Sequence, residues 1–538
     1  MISVVNSVSV HPREQPDVSV VVDVADAVGH IGACLESVLA QGDAGFLVEV
    51  LVFDRGSQDG TREALQQWAA RYPALRCSAA PTASDTPAPA RNAGIEQSTG
   101  RHLLFLSGTD RLTAGALKSM VRAADENDAD VVLGKVAGLD GQKVGTSMFT
   151  RSTPDADVAT SRVYWSLSAD KLFRRSLVDR CGLRFPEDWS LGDDQAFTAL
   201  AYLYADRVSV VAGQVCVEQA RRVAGVNTSR FSGSLADRMA LTRRMVTLVT
   251  ERVQPGPLRD QLLARHFELE LGKATGAAYL ACEDQELRRA TLTECRGLLE
   301  LHAGPEVFGK LPRPLSVRLE LIRRGLFAEA ERTAAFEQGK EKAPLLVADG
   351  RAFRRYPFFR DPEVGLPDAY FEITHTLKAK YRLTGLSWSG TVLRVNGHCY
   401  IEQLSTRDPA VRVVLRERTS GAEYRFRVYT TPTPKLDAAT RADRAQAGFE
   451  ARLDLSAADG FQPVAPGLWD LFLHVSYQGV AKEVRLGGAR TETVADRTRQ
   501  GVVVGRADAS GLETVCHLYA TKAGNLTAEV SARRPLPQ

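Results

Sequence analysis

Val18-Ser19-Val20-Val21-Val22-Asp23-Val24, then Ile31, Leu35, Val38 and Leu39 at helical spacing, then Leu47-Val48-Glu49-Val50-Leu51-Val52-Phe53, is the stretch that decides the fold class. Two short, almost continuously apolar runs separated by an amphipathic helix read as neighbouring strands buried on both faces. The pattern continues outward. Leu65, Trp68, Ala69 and Tyr72 recur at i, i+3, i+4 and i+7, His102 to Leu106 is another apolar run, a helical stretch spans about Thr113 to Asn127, and Asp130 to Gly134 follows. Such alternation predicts a mostly parallel sheet with helices on both faces. Ligands of these sheets sit beyond the carboxyl ends of the strands, so chemistry is expected after Val22, Phe53 and Leu106.

Downstream the strand signal disappears. From about Ser234 to Gln338 helical periodicity takes over, as in Arg259 to Ala281 and Ser316 to Gln338. Pro344, Pro357, Pro362 and Pro367, with Gly350 and Gly365, then predict a linker. Beyond about Lys378 the period becomes two: Val411, Val413 and Leu415 alternate with Arg412 and Arg416, and Tyr424, Phe426 and Val428 alternate with Arg425 and Arg427. Trp469, Leu471, Leu473 and Val475 repeat the alternation, and about seven such strands predict an all-β sandwich. The expected plan is a tail at 1–16, an α/β domain at 17–235, a helical segment at 236–340, a linker at 341–377 and a sandwich at 378–538.

The length of 538 residues suits three or four domains of about 150 residues. Lys and Arg total 68 against 65 for Asp and Glu, and a net charge of +3 gives no argument for a nucleic-acid partner. The eight cysteines stand singly, with no C-x-x-C pair, which predicts reduced thiols of a cytoplasmic protein. The opening MISVVNSVSVHPREQ lacks a basic n-region followed by an apolar core, and no run reaches the ~18 apolar residues of a membrane span. The expectation is a protein neither conventionally secreted nor membrane-spanning, with peripheral attachment at the inner membrane face left open.

After the second apolar run the chain reads Phe53-Asp54-Arg55-Gly56-Ser57-Gln58-Asp59-Gly60-Thr61. An acid at a strand end before a tight Gly-Ser turn can accept hydrogen bonds from a nucleobase or ribose. An ordinary strand-to-helix turn capped by Asp59 or Thr61 explains the same residues. Together with CLESVLAQ (34 to 41), ARNAGI (90 to 95), FLSGTD (105 to 110), KLFRRSLV (171 to 178), RFPED (184 to 188) and GDDQAF (192 to 197), in that order, the segment resembles family 2 glycosyltransferases of the GT-A fold over residues 17 to 235.

The resemblance implies an inverting sugar transfer from a nucleotide sugar, UDP-linked by expectation. The family's E-D-x-x-F element falls on Asp193, Asp194 and Phe197, making Asp194 the candidate base and Asp193 its acidic partner. A second carboxylate and partial burial raise proton affinity toward a useful range. Helix capping by the same two acids is the competing reading. Asp26, Asp54, Arg91 and Asp110 are the implied nucleotide-sugar contacts. Where family members read F-L-D-S-D-D, this sequence reads Phe105-Leu106-Ser107-Gly108-Thr109-Asp110, so two negative charges of the usual cation site are gone. Asp110 is the one acid left there for a divalent cation, Mn²⁺ or Mg²⁺. The usual P-V-Y-N of the first strand is Asp23-Val24-Ala25-Asp26.

Cationic side chains are the other way to stabilise a leaving diphosphate. Arg221, Arg222, Arg230, Arg238, Arg243 and Arg244 lie close in sequence, and guanidinium forks suit phosphate oxygens. Arg221, Arg222 and Arg230 are the candidates for phosphate or acceptor binding, against the plainer reading of a solvated helix face. The domain order is similar to that of bacterial wall-teichoic-acid glycosyltransferases that decorate poly(ribitol phosphate), whose C-terminal module resembles an immunoglobulin-like domain. That resemblance implies an anionic cell-envelope polymer or lipid-linked acceptor, and homo-oligomerisation through the C-terminal domain. The alternative is a catalytically silent scaffold that binds envelope polymer or partner proteins through its sandwich.

Overall fold

A computed structural model describes residues 15–43, 45–82, 84–220, 233–339, 341–404, 409–433, 446–458, 460–491, 501–506 and 511–534. The chain divides into two compact units, 1–340 and 341–538. Unit 1 begins with β1 (Val18–Val24), α1 (Val28–Leu39), β2 (Val48–Asp54), α2 (Thr61–Arg71), β3 (Leu75–Ala79), α3 (Ala88–Gln97), β4 (His102–Ser107) and β5 (Arg111–Leu112). It continues with α4 (Ala116–Asn127), β6 (Val131–Gly138), β7 (Leu172–Arg174), α5 (Arg175–Arg180), α6 (Asp193–Tyr204) and β8 (Val208–Gln219). The sheet order is β3-β2-β1-β4-β7-β6-β8-β5. β1 runs parallel to β2 and β4, whereas β7 is antiparallel to β4 and β6, so the GT-A-like sheet is mixed.

Every residue of β1 is buried, as a central strand covered on both faces requires. Its register aligns the strand tips: Asp23 lies opposite Phe53 on one side and Ser107 on the other, and Val24 lies opposite Asp54. His102–Ser107 is the fourth strand although it is the third apolar run of the sequence, because Leu75–Ala79 forms an edge strand whose mostly exposed, polar residues leave little hydrophobic signal. Beside β4, Phe105, Phe173, Phe185 and Phe197 form one aromatic cluster, with Phe185 stacked on Phe197 at 4.1 Å between ring centroids. Phe197 thereby ties α6 to the sheet.

The rest of unit 1 is helical: α7 (Leu235–Arg252), α8 (Pro257–His266), a π-helical turn at Phe267–Leu271, the short α9 (Gly272–Ala274) and α10 (Ala277–Leu280), then α11 (Gln285–His302), α12 (Pro305–Lys310), α13 (Arg313–Arg323) and α14 (Phe327–Gln338). A reciprocal cap between Ser234 and Asp237 starts α7.

Unit 2 opens with an antiparallel pair, β9 (Leu345–Ala348) and β10 (Arg351–Arg354). Then come β11 (Ala379–Ser389), β12 (Val392–Ile401), β13 (Ala410–Glu417), β14 (Glu423–Thr431), β15 (Gly448–Asp454), β16 (Gly467–Tyr477), β17 (Val480–Arg485), β18 (Gly501–Gly505), β19 (Glu513–Ala520) and β20 (Leu526–Arg533). All named pairings in this unit are antiparallel, in the order β11-β12-β15-β14-β13-β16-β20-β19-β18 with β17 against β16. β14 pairs β13 through its first half and β15 through its second, passing from one group of strands to the other. Buried Trp469 stacks on Tyr424 within the core and donates its Nε1–H to the Ala465 carbonyl at 2.9 Å.

The stretch 341–377, expected as a linker, is part of unit 2 and packed. Phe353 and Phe371 are fully buried, and Ala352, Ile373 and Leu377 join the β core. Prolines restrict the backbone without preventing burial, and the aromatic residues between them supply the apolar area.

Candidate active site

The first turn of α6 carries Asp193 and Asp194, both 2% exposed. Gly192 precedes them with φ +81°, and a Cβ there would collide with Leu241 of α7, so this turn requires glycine on two counts. Burial of two carboxylates demands compensation. For Asp193 it comes from Arg91 on α3, whose Nη1 lies 3.4 Å from Asp193 Oδ2 while its Nε donates to Asp23 Oδ1 at 2.8 Å. The guanidinium also packs 5.3 Å from the centre of the Phe185 ring. Burial alone would lower its pKa, yet the nearby Asp23, Asp193 and Asp170 carboxylates carry it above the ordinary arginine value. Arg91 is therefore a fixed positive charge between two strand-end and helix-end acids.

Asp23 Oδ2 has no hydrogen-bond partner among the described residues. Asp170, also buried, accepts from the Gln219 side chain at 2.6 Å and lies 3.8 Å from Lys171 Nζ. Lys171 donates to Ser166 Oγ and to the Ser168 carbonyl and hydroxyl. Neither Asp23 nor Asp170 was among the residues expected from sequence. Asp23 had a readable signal, since a carboxylate inside an otherwise apolar strand must find a cation or a ligand. Asp170 had none, because its neighbours arrive from β8 and α3.

Asp54 and Asp26 form a second cluster at the β2 tip, joined by Ser57. Asp54 Oδ1 accepts from the Ser57 N–H at 2.9 Å and hydroxyl at 2.6 Å, and Oδ2 meets Arg62 Nε at 3.2 Å. Burial pushes the Asp54 carboxyl up, but these hydrogen bonds outweigh it and hold it below the ordinary carboxylate value. Asp26, at φ +45°, gives its N–H to Ser57 Oγ and takes the Gln58 N–H at 2.7 Å. Ser57 thus occupies Asp54 Oδ1 twice, and Arg62 of α2 occupies one position on Oδ2. Arg62, whose side chain is 55% exposed, is the group that a ligand approaching Asp54 Oδ2 meets.

The β4 tip is the place where the family implies a divalent cation. Ser107 Oγ and Thr109 Oγ1 are 3.1 Å apart in a mutual hydrogen bond, and Asp110 Oδ1 accepts the Ala220 N–H at 3.0 Å. Two neutral hydroxyls and one carboxylate already holding a backbone amide do not fit a hard cation that wants several charged oxygens. Among the described residues no cluster of three or more His, Cys, Asp or Glu has metal-holding geometry. Asp110 instead fixes the end of β8. Arg221, Arg222 and Arg230 lie outside the described residues.

Comparison with known proteins follows the same division of the chain. Residues 19–181 match glycosyl transferase family 2, residues 236–334 the glycosyl transferase TarS linker domain, and residues 373–530 the TarS beta-glycosyltransferase C-terminal domain 1. The poly(ribitol-phosphate) beta-glucosyltransferase of Bacillus spizizenii strain W23 is 25% identical over 488 residues, 88% of this chain and 72% of that protein. The poly(ribitol-phosphate) beta-N-acetylglucosaminyltransferase TarS of Staphylococcus aureus strain Mu50 is 30% identical over 253 residues, 46% of this chain and 44% of TarS. The crystal structure of S. aureus TarS superposes with a TM-score of 0.57 at 20% identity, over 96% of this chain and 85% of that one. TarS 1–349 in complex with UDP-GlcNAc gives 0.55 at 24% identity, over 65% of this chain and 98% of that one. The chain is a glycosyltransferase homologous to the poly(ribitol-phosphate) glycosyltransferases, carrying a family 2 catalytic domain followed by the TarS linker and the first TarS C-terminal domain.

Proposed function

We propose that the protein transfers a sugar with inversion from a UDP-sugar to an anionic cell-envelope polymer such as poly(ribitol phosphate), or to its lipid-linked precursor. The relatives' named activities and the UDP-GlcNAc complex of TarS support the substrate classes. The observation that carries the reading is the meeting of Asp193, Arg91 and Asp23 at the carboxyl end of β1, with Asp194 in the same helical turn.

Asp194 takes the proton of the acceptor hydroxyl as that oxygen attacks the anomeric carbon. The bond to the diphosphate oxygen breaks on the opposite face, UDP leaves with the electron pair, and the configuration inverts. A base of this kind contributes roughly 10²- to 10⁴-fold. Asp193 and Asp23 hold Arg91, whose fixed charge lies beside Asp193, the residue that precedes the base. Asp54 and Asp26 receive the nucleoside. Asp110 shapes the pocket by holding Ala220. The charge developing on the diphosphate is met by guanidinium groups rather than by a cation of the family type, with Arg221, Arg222 and Arg230 supplying the phosphate contacts. Arg265 and the helices around it belong to the same unit.

A nucleotide-sugar donor places the reaction on the cytoplasmic side, with peripheral attachment at the membrane face where the polymer is assembled. Homo-oligomerisation through unit 2 completes the proposal. The test is transfer from UDP-glucose and UDP-GlcNAc to poly(ribitol phosphate) in the presence of EDTA. Turnover that persists is the expected result. Turnover that vanishes and returns with Mn²⁺ would overturn the cation-free part, and absence of both turnover and UDP binding would leave the scaffold reading.

A further inference from the structure

Helix α8 does not end in an ordinary α turn. It runs into the π-helical turn Phe267–Leu271, an arrangement rare in helices and concentrated at functional sites. In an α-helix residues i and i+5 point about 140° apart. The wider π turn brings Glu270 back onto the face of Arg265, five residues earlier, and both Glu270 oxygens lie 2.7 and 2.8 Å from Arg265 Nη1.

A chain of buried groups extends from this pair in both directions. His266 Nδ1 is 2.9 Å from Glu270 Oε2, and its Nε2 is 3.0 Å from the Tyr164 hydroxyl. Burial holds His266 below its ordinary pKa and the Tyr164 hydroxyl above its own, and His266 Nδ1 also lies 3.0 Å from Arg265 Nη1. In the other direction Arg265 Nη1 donates to Gln195 Oε1 at 3.0 Å. Gln195 is the residue after Asp194, in the first turn of α6. The same turn is gripped by α7: Leu241 sits beneath Gly192, and Ser190 donates to Asp237 at 2.8 Å.

A buried ion pair is weak support for stability, because apolar residues of similar volume often do as well or better. Four polar side chains kept together against the turn that carries the base point to orientation instead. We propose that Gln195 and Arg265 are positioning residues for the transfer: the π turn aims Arg265 at Gln195, and Gln195 fixes the first turn of α6 and with it the Asp194 carboxylate. The helical segment is on this account a working part of the catalytic unit and not a spacer. The inference rests on Asp194 acting as the base.

The test compares Gln195→Met, which keeps the volume and loses the acceptor, with Gln195→Glu, which keeps the acceptor. Arg265 retains Glu270 in both, so the buried charge stays paired. Gln195→Met should lower kcat by about ten- to a hundredfold, with the donor KM, UDP affinity and melting temperature unchanged, and Gln195→Glu should recover most of the rate. Wild-type kcat in Gln195→Met overturns the inference. So does an equal loss in both variants accompanied by a lower melting temperature, which marks a structural role. Asp194→Asn is assayed alongside. If it is inactive while Gln195→Met is fully active, the positioning role alone fails; if it turns over normally, the base assignment fails and this inference with it.

Discussion

Arg91 in unit 1 and Arg416 in unit 2 each bridge two carboxylates. Arg91 is 9% exposed and its partners Asp23 and Asp193 are 0% and 2%, whereas Arg416 is 32% exposed and meets Glu423 and Glu483 at 22% and 33%. Water screens the second set and is excluded from the first, so the same chemical groups do different things. The buried set fixes one geometry at the carboxyl end of β1. The exposed set decorates a sheet. Of the arginines on and beside β13 and β14, Arg416, Arg418 and Arg425 are already engaged by Glu423, Glu483 or Asp470. Arg412 and Arg427 face each other across β13 and β14.

The contrast is broken most severely by Asp23→Ala, which leaves Arg91 buried with one carboxylate instead of two. Loss of one partner of a buried pair costs about 3–5 kcal/mol, and chemical denaturation should show a drop of that order. Gly192→Ala comes next, because it meets both a left-handed φ and the Leu241 side chain. A loss of roughly 1–3 kcal/mol is expected from overpacking, together with reduced turnover, since the displaced turn carries Asp194.

Acid should reveal the buried network of unit 1. His266 is held below its ordinary value of 6.5 by burial, so the unfolded chain takes up a proton first as pH falls. Its contribution is whole above pH 6.5 and is lost below it, down through the folded-state pKa. Melting curves from about pH 8 to about pH 5 should show the decline, and His266→Gln should flatten it. Arg416→Met in unit 2 is the smallest effect, below about 1 kcal/mol and smaller still in high salt. A loss as large as that of Asp23→Ala would erase the distinction between the two arginines.

The strands whose runs are apolar on both faces, β1, β2, β4 and β6, were legible because full burial writes an unbroken hydrophobic signal. β3 and β7 were not, since an edge strand with exposed Arg76 and a three-residue strand carry no period. The prolines at 344–367 read as a linker because local backbone signals say nothing about Phe353 and Phe371 meeting a distant core. At the site, Asp193, Asp194 and Arg91 were singled out through their motifs, and the structure brings Arg91 to Asp193. Asp26 was singled out for its place in a motif, while Asp23, three residues earlier, is the one that Arg91 holds. Gln195 and Arg265 were beyond reach, because their meeting depends on a π turn that no short pattern announces.

The proposed function turns on Asp194 removing the acceptor proton in a pocket that still binds UDP-sugar. The most direct measurement is turnover of Asp194→Asn with UDP-sugar and poly(ribitol phosphate), with UDP binding followed by calorimetry on the same preparation. The expected result is a kcat lower by at least about 10²-fold with UDP affinity preserved. Unchanged turnover in that variant would contradict it.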